Sequence, residues 1–201
     1  MALSFRLCGV RIEVSYLLIS MMALFSYFDE SGIFLAAFFS ALLHESGHII
    51  ATVILKIPIK ELAFKPFGIR MKLRTPMELV SFKKKTIVLL GGCIVNFLCF
   101  FLFWTFCGKI SDYALIHLIS AIFNLLPSGT LDGGRILSEI LLLKIDAQKT
   151  EIFCDVVSII FAILLFVLGF FILVKTKYNF SLLITAIYLF IMVIVRQKKL
   201  K

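Results

Sequence analysis

The chain has 201 residues, of which 61% are hydrophobic and 22 are Phe, and its mean hydropathy is +1.07. A soluble domain is about half apolar, so this composition predicts an integral membrane protein. We expect one membrane-embedded domain over residues 1–201, with no separate soluble module. The formal net charge is +9. Basic segments beside a bilayer attract its anionic leaflet, so this charge implies no nucleic acid partner, and no RNA- or DNA-binding motif is present.

Six apolar runs, separated by charged residues, are candidate membrane spans. About 20 residues are needed to cross the hydrocarbon core, so the second, third and fifth runs are long enough and the others are shorter. The pattern predicts an all-α polytopic membrane protein with six transmembrane helices. The runs are Val14 to Phe28, Ile33 to Leu55, Ile87 to Cys107, Tyr113 to Leu126, Ile152 to Val174 and Phe180 to Val195.

The positions of Lys and Arg orient these spans. With the N-terminus in the cytosol, 18 of the 21 basic residues fall on the cytosolic side, leaving Lys109, Lys175 and Lys177 outside. Cytosolic loops of membrane proteins carry such an excess. We therefore expect both termini to be cytosolic.

The segment between the second and third spans alternates as strands do. Ile69 to Arg74 reads Ile-Arg-Met-Lys-Leu-Arg, and Ile59 to Lys65 is a suitable partner across the turn at Pro66 to Gly68. This predicts a small cytosolic-side β-hairpin lying against the membrane surface. Its edge would pair with an extended substrate backbone, or the hairpin would only cap the helices or contact lipid headgroups.

The cysteines are scattered and never form a C-x-x-C pair. We interpret them as small packing residues rather than as disulfides or zinc ligands. They are Cys8, Cys93, Cys99, Cys107 and Cys154.

The second span contains an H-E-x-x-H motif, His44-Glu45-Ser46-Gly47-His48. Residues four apart share a helix face, so both imidazoles can bind one metal ion while Glu45 polarises a bound water. Ionisable groups inside a bilayer are costly, which makes a functional site the default interpretation. The alternative is a chance motif whose histidines hydrogen-bond to neighbouring helices.

A catalytic zinc ion needs a third protein ligand and an open position for water. Pro127 and Gly129 interrupt the fourth span, and irregular backbone at membrane depth is tolerated where it is buried in protein or lines a wet cavity. Asp132 would then be presented to the metal. In the competing interpretation Asp132 only caps a helix from Gly133 to Leu143. The H-E-x-x-H motif favours the ligand.

The two segments together resemble the paired motifs of the site-2 protease family of intramembrane metalloproteases. The second is Asn124 to Gly133, which reads N-x-x-P-x-x-x-L-D-G. Gly92 to Asn96 is similar to the family's G-x-x-x-N segment, with Cys93 where many members have Pro. The six-span layout is most similar to the stage IV sporulation protein FB branch. Members of that branch often carry a C-terminal CBS domain. These 201 residues include none, whether the chain is a short member or part of a longer protein, so ATP sensing is not carried over.

The resemblance implies that His44, His48 and Asp132 hold one zinc ion and that Glu45 is the general base. Asn124 would help to stabilise the oxyanion, or would be a polar contact between helices.

Two further polar residues have no assigned chemistry. Asn96 is interpreted as a packing or substrate-positioning residue, and His117 as a packed or gating residue.

The resemblance also implies a membrane-associated protein substrate, such as a pro-sigma factor in sporulation, and inhibitory membrane partners. It implies a bacterial cell membrane or forespore membrane as the location. The main rival is a metal transporter or channel, which would line a path with ligands at several levels. A second rival is an inactive relative that acts as a scaffold, against which the intact motif counts.

The charge distribution makes a topology prediction. Cytosolic reporters fused after Lys85, Gln148 and Lys201 should be active, while one fused after Asp112 should be inactive. Reporter activity in a bacterial host measures this. An exterior signal from the segment between Lys56 and Lys85 would overturn the six-span topology.

Overall fold

A computed structural model describes residues 2–7, 9–66, 68–76, 79–107, 110–129, 131–177 and 180–198. Predictions that concern Cys8, Phe67, Lys109 and Lys201 lie outside these residues. The chain divides into two units, Met1–Ile122 and Phe123–Lys201. The elements are β1 (Ala2–Leu7), β2 (Val10–Ser15), α1 (Tyr16–Phe28), α2 (Ile33–Ile54), β3 (Ile59–Lys65), β4 (Gly68–Leu73), α3 (Phe82–Cys107), α4 (Asp112–Asn124), α5 (Asp132–Leu141), α6 (Ala147–Thr176) and α7 (Ser181–Lys198).

Three of the expected spans are helices long and apolar enough to cross a membrane. They are α2, α3 and α6, with 22, 26 and 30 residues, and they correspond to the second, third and fifth apolar runs. The helices α1 and α4 have 13 residues each, short of the roughly 20 that a perpendicular crossing needs. The chain is therefore mostly helical with three candidate membrane helices, and the count of six spans stays a prediction.

The predicted hairpin is confirmed as β3 and β4, and it forms half of a four-stranded sheet that we did not expect. The strands β1 and β2 form a second hairpin, and β2 pairs in parallel with β3, which gives the order β1-β2-β3-β4. Val14 and Ser15, the first two residues of the predicted run Val14 to Phe28, both belong to β2. The overlooked signal is the alternation of apolar and charged residues in β2, preceded by Gly9 at a φ of 78°.

A small apolar core joins the sheet to the ends of α2 and α3. Because Leu73 is the last residue of β4 and Ile57 lies two residues before β3, this end of the sheet lies beside the C-terminal end of α2. The buried residues of this core are Ala51, Ile57, Val80 and Val88, with Leu55, Met71 and Leu73 packed against them.

The helices α2 and α3 approach closely at glycine residues. A Cβ atom on Gly47 would collide with the backbone carbonyl of Gly91, and one on Gly91 would lie 2.6 Å from the carbonyl oxygen of Gly47. Small residues allow membrane helices to pack backbone against backbone. Since Gly47 lies within the H-E-x-x-H motif, this contact holds the motif against α3.

In the second unit, the irregular segment after α4 is attached to α6. The Gly129 amide donates to Ser158 Oγ at 2.8 Å, and the Ser158 hydroxyl donates to the Cys154 carbonyl at 2.6 Å. A Cβ on Gly134 would collide with the carbonyl of Ser128, so the first turn of α5 packs directly on this segment. These contacts bury and position the backbone that leads into Asp132.

Candidate metal centre

The two histidines of the motif lie side by side on α2. Their Nε2 atoms are 3.2 Å apart, and their rings are nearly perpendicular, at 86°. Two nitrogens bound to one tetrahedral zinc ion, each about 2.0–2.1 Å from the metal, would be about 3.3–3.4 Å apart. The separation in the protein therefore fits a shared metal ion.

A backbone carbonyl orients His48. Its Nδ1 lies 2.7 Å from the carbonyl oxygen of Val88 on α3. A carbonyl can only accept, so Nδ1 carries the proton and the Nε2 lone pair is directed toward His44. Metal-binding histidines commonly donate their second ring nitrogen in this way, which sets the tautomer and the ring orientation.

The ring of His44 lies against the backbone of α3. The His44 residue is 5% exposed, and a Cβ atom on Gly92 would lie 2.6 Å from His44 Nε2. Only a glycine at this position leaves room for the imidazole in its present place. The segment that resembles G-x-x-x-N thus contributes space to the site.

The β3–β4 hairpin reaches Glu45. A Cβ atom on Gly68 would lie 3.1 Å from Glu45 Oε1, and Gly68 has a φ of 113°, where glycine is favoured. Glu45 is nine residues before the last residue of α2, which corresponds to about 14 Å along the helix. The hairpin therefore extends along α2 beside the motif, and its contact with the membrane surface stays a prediction.

Cys93 is a neighbour of the histidines that sequence reasoning missed. Its sulfur and a ring nitrogen of His44 lie within 4.8 Å of each other, and Cys93 is 1% exposed. A thiolate is a zinc ligand, so the donor set around His44 includes sulfur as well as nitrogen. The signal that would have found it is its place next to Gly92, in a segment already compared with a family motif.

The remaining predicted site residues lie in the second unit. Asp132 is 7% exposed and is the first residue of α5, with Leu131 at the N-cap position, so Asp132 is not itself the cap. Asn124 is half-buried and is the last residue of α4. That Asp132 and Asn124 act together with the histidines stays a prediction.

Asn96 and His117 contact each other. The Asn96 amide nitrogen donates to Ser120 Oγ at 2.9 Å, and its carbonyl oxygen accepts from His117 Nδ1 at 3.1 Å. The His117 ring also stacks on Phe103, with centroids 5.6 Å apart. These contacts join α3 to α4, as the packing interpretation requires.

Asp155 is a second buried carboxylate that the sequence interpretation overlooked. It is 7% exposed and lies on α6, one turn before Ser158. An acidic residue inside an apolar run of spanning length was signal enough to single it out.

The fold is similar to that of a solved protease structure. No family model matches the chain, and no curated protein matches it. Among solved structures, the Site-2 Protease from Methanocaldococcus jannaschii superposes with a TM-score of 0.65 and 19% sequence identity, covering 96% of this chain and 94% of that chain. At this identity the likeness establishes the fold, and the function has to be argued from the site.

The contact between Gly92 and His44 makes a prediction about metal binding. Gly92→Ala should lower the zinc content of the purified protein at least tenfold, because the added methyl group displaces the His44 ring. Elemental analysis of metal per polypeptide measures this. Ile94→Ala, on the exposed side of the same helix, is the matched control and should retain its zinc. A fully metallated Gly92→Ala protein would contradict the assigned position of His44.

Proposed function

We propose that this protein is an intramembrane zinc metalloprotease that cleaves a membrane-associated protein. The observation that carries the proposal is the pair of Nε2 atoms 3.2 Å apart, next to Glu45, on a helix of spanning length. The likeness of the fold to a site-2 protease supports it.

The chemistry follows from the residues on α2. A zinc ion held by His44 and His48 would polarise the scissile carbonyl and lower the pKa of its water toward neutrality. Glu45 accepts the proton of the attacking water and later returns it to the leaving amine. The hydrogen bond from His48 Nδ1 to Val88 keeps one imidazole in the tautomer that can bind metal.

Asp132 is proposed as the third protein ligand. It is a buried carboxylate at the start of α5, held there by a backbone segment attached to α6. The motif resemblance supports zinc as the ion that this carboxylate binds. Asn124 is proposed as a donor to the developing oxyanion.

Water needs a route to a site at this depth. His44 is the twelfth residue of α2, about 17 Å along the helix and near its middle. Non-helical backbone at membrane depth occurs only where protein buries it or where it lines a wet cavity. Gly68 of the β3–β4 hairpin lies beside Glu45, and we propose that water enters along this hairpin from the cytosolic side.

The same hairpin offers a place for substrate. The strand β4 is an edge strand of the described sheet, and its first residue, Gly68, lies beside Glu45. An extended substrate segment that added to this edge would bring its backbone to the metal. We further propose a pro-sigma factor as substrate, which rests only on the similarity of layout to the sporulation branch.

The rival transporter is less well supported. It requires metal ligands along a path, yet His117, the third histidine of the chain, bonds to Asn96 instead of forming a second metal-binding layer. A transporter also has no need of a carboxylate beside the ligands at the position of a general base. Metal flux through reconstituted vesicles would be the observation that favours transport.

The role of Glu45 can be separated from that of the ligands. Glu45→Gln keeps the size of the side chain and its hydrogen bonding but cannot accept a proton, so it should retain zinc and lose at least about 100-fold in cleavage rate. Reconstituted cleavage of candidate membrane substrates, with metal content measured in parallel, tests this. His44→Ala and His48→Ala should lose both properties. Cleavage by Glu45→Gln near the wild-type rate would refute the mechanism.

Asp132 is tested by a nearly isosteric change. Asp132→Asn preserves size and hydrogen bonding at the start of α5 but removes the anionic ligand, so zinc affinity and cleavage should both fall strongly while the protein stays folded. Equilibrium zinc titration against a chelator measures the affinity. Asp132→Ala serves as the comparison, because any further loss relative to Asn reports a structural contribution. Normal zinc affinity in Asp132→Asn would mean that the third ligand lies elsewhere.

A further inference from the structure

A basic cavity lies at the end of the sheet remote from Glu45. Its volume is about 500 Å³. The lining contains four cationic side chains and one carboxylate. The lining residues are Arg6, Gly9, Arg11, Lys60, Glu61 and Arg74.

The one carboxylate in this cavity leaves a net positive charge, because four cationic side chains surround it. Glu61 forms an ion pair of 2.8 Å with Lys72, outside the cavity lining, and the hydrogen bond from Lys72 holds the pKa of the Glu61 carboxyl below its usual range. Arg11 also contacts Glu13 at 2.7 Å, but the Arg11 side chain is 53% exposed, and ion pairs this exposed contribute little. The cavity therefore remains strongly cationic.

Two of the arginines directly oppose each other. Arg6 on β1 is the cross-strand partner of Arg11 on β2. Like charges in directly opposed positions destabilise a strand pair, whereas an anion bound between two guanidinium groups converts the repulsion into charge-assisted hydrogen bonds. The arrangement suits a bound anion better than an empty surface.

A third arginine, Arg74, is hydrogen-bonded to the turn between β1 and β2. Arg74 Nη2 donates to the carbonyl of Gly9 at 3.0 Å, which uses one of its five N–H donors. The planar guanidinium group matches a phosphate with paired hydrogen bonds, which a lysine cannot do. Three arginines around one cavity indicate a phosphate group as the ligand.

The position of the cavity indicates where the phosphate comes from. The strand β3 begins five residues after α2 ends, so the Lys60 end of the sheet lies beside the C-terminal end of α2. Lys84, near the start of α3, donates to the carbonyl of Leu55 at 3.3 Å, so α2 ends and α3 begins near this level. The cavity thus lies where the helices leave the apolar layer, which is the level of lipid headgroups.

We propose that this cavity binds the phosphate-bearing headgroup of an anionic phospholipid. The strand pair β3–β4 carries Lys60 near one end and Gly68 at the other, so a bound headgroup anchors the sheet whose far end contacts Glu45. Lipid binding at this cavity needs neither zinc nor peptidase activity. A test of this binding is therefore independent of the proposed function.

The test compares lipids on the purified full chain in a zwitterionic detergent. Short-chain dioctanoyl phosphatidylglycerol should bind and raise the midpoint of thermal unfolding, while dioctanoyl phosphatidylcholine should not. The variant Arg6→Gln, Arg11→Gln, Arg74→Gln should bind phosphatidylglycerol roughly 100-fold more weakly, since each basic residue near a membrane surface contributes about fivefold. Native mass spectrometry counts the bound lipid.

Matched variants keep the result interpretable. Lys83→Gln, Lys144→Gln, Lys149→Gln removes the same charge from exposed positions outside the cavity and should retain binding. If the Gln variant does not fold, Arg6→Lys, Arg11→Lys, Arg74→Lys keeps the charge and should still weaken binding, because the paired hydrogen bonds are lost. Equal loss in the control variant would overturn the proposal. So would inorganic phosphate or glycerol phosphate reproducing the full thermal shift at the same concentration, because the ligand would then be a free anion.

Discussion

The approach of α2 and α3 at Gly47 and Gly91 is the contact on which the candidate site depends. At the larger separation that side chains at these positions would impose, the ring of His44 would lose its place against Gly92, and His48 Nδ1 would not reach the carbonyl of Val88. Apolar burial does not drive helix association in lipid, so close packing and hydrogen bonds between helices have to do so. Here the same contact packs the helices and orients the imidazoles.

A second constraint is that backbone N–H and C=O groups near the apolar layer must form hydrogen bonds. The four-stranded sheet meets it for β2 and β3, which are hydrogen-bonded on both sides, while the edge strand β4 is paired on one side. This explains why the N-terminal strands matter to a site to which they contribute no ligand. In this sheet β2 pairs with the second edge of β3. The end of the sheet remote from Glu45 forms the basic cavity. One element therefore meets the motif at one end and forms the basic cavity at the other.

Likeness of fold at 19% identity is compatible with this account. Lipid-facing positions accept almost any large apolar residue, so most of the sequence of such a protein can change without altering the architecture. The positions with little freedom are those where backbone meets backbone or a ring, such as Gly47, Gly91 and Gly92. These residues, and the polar groups around them, are where a functional argument has to be made.

The sequence by itself determined the membrane class, the three long helices and the residues of the H-E-x-x-H motif. These follow from composition, run length and helix periodicity, which are local properties of the chain. The tertiary structure decided that the predicted hairpin belongs to a four-stranded sheet, because β2 pairs in parallel with β3 across the whole of α1 and α2. It also decided that Cys93 lies near His44, and that Asn96 bonds to His117. Those contacts join residues far apart in the chain, and they depend on how α3 packs against its neighbours. Local sequence patterns therefore cannot predict them.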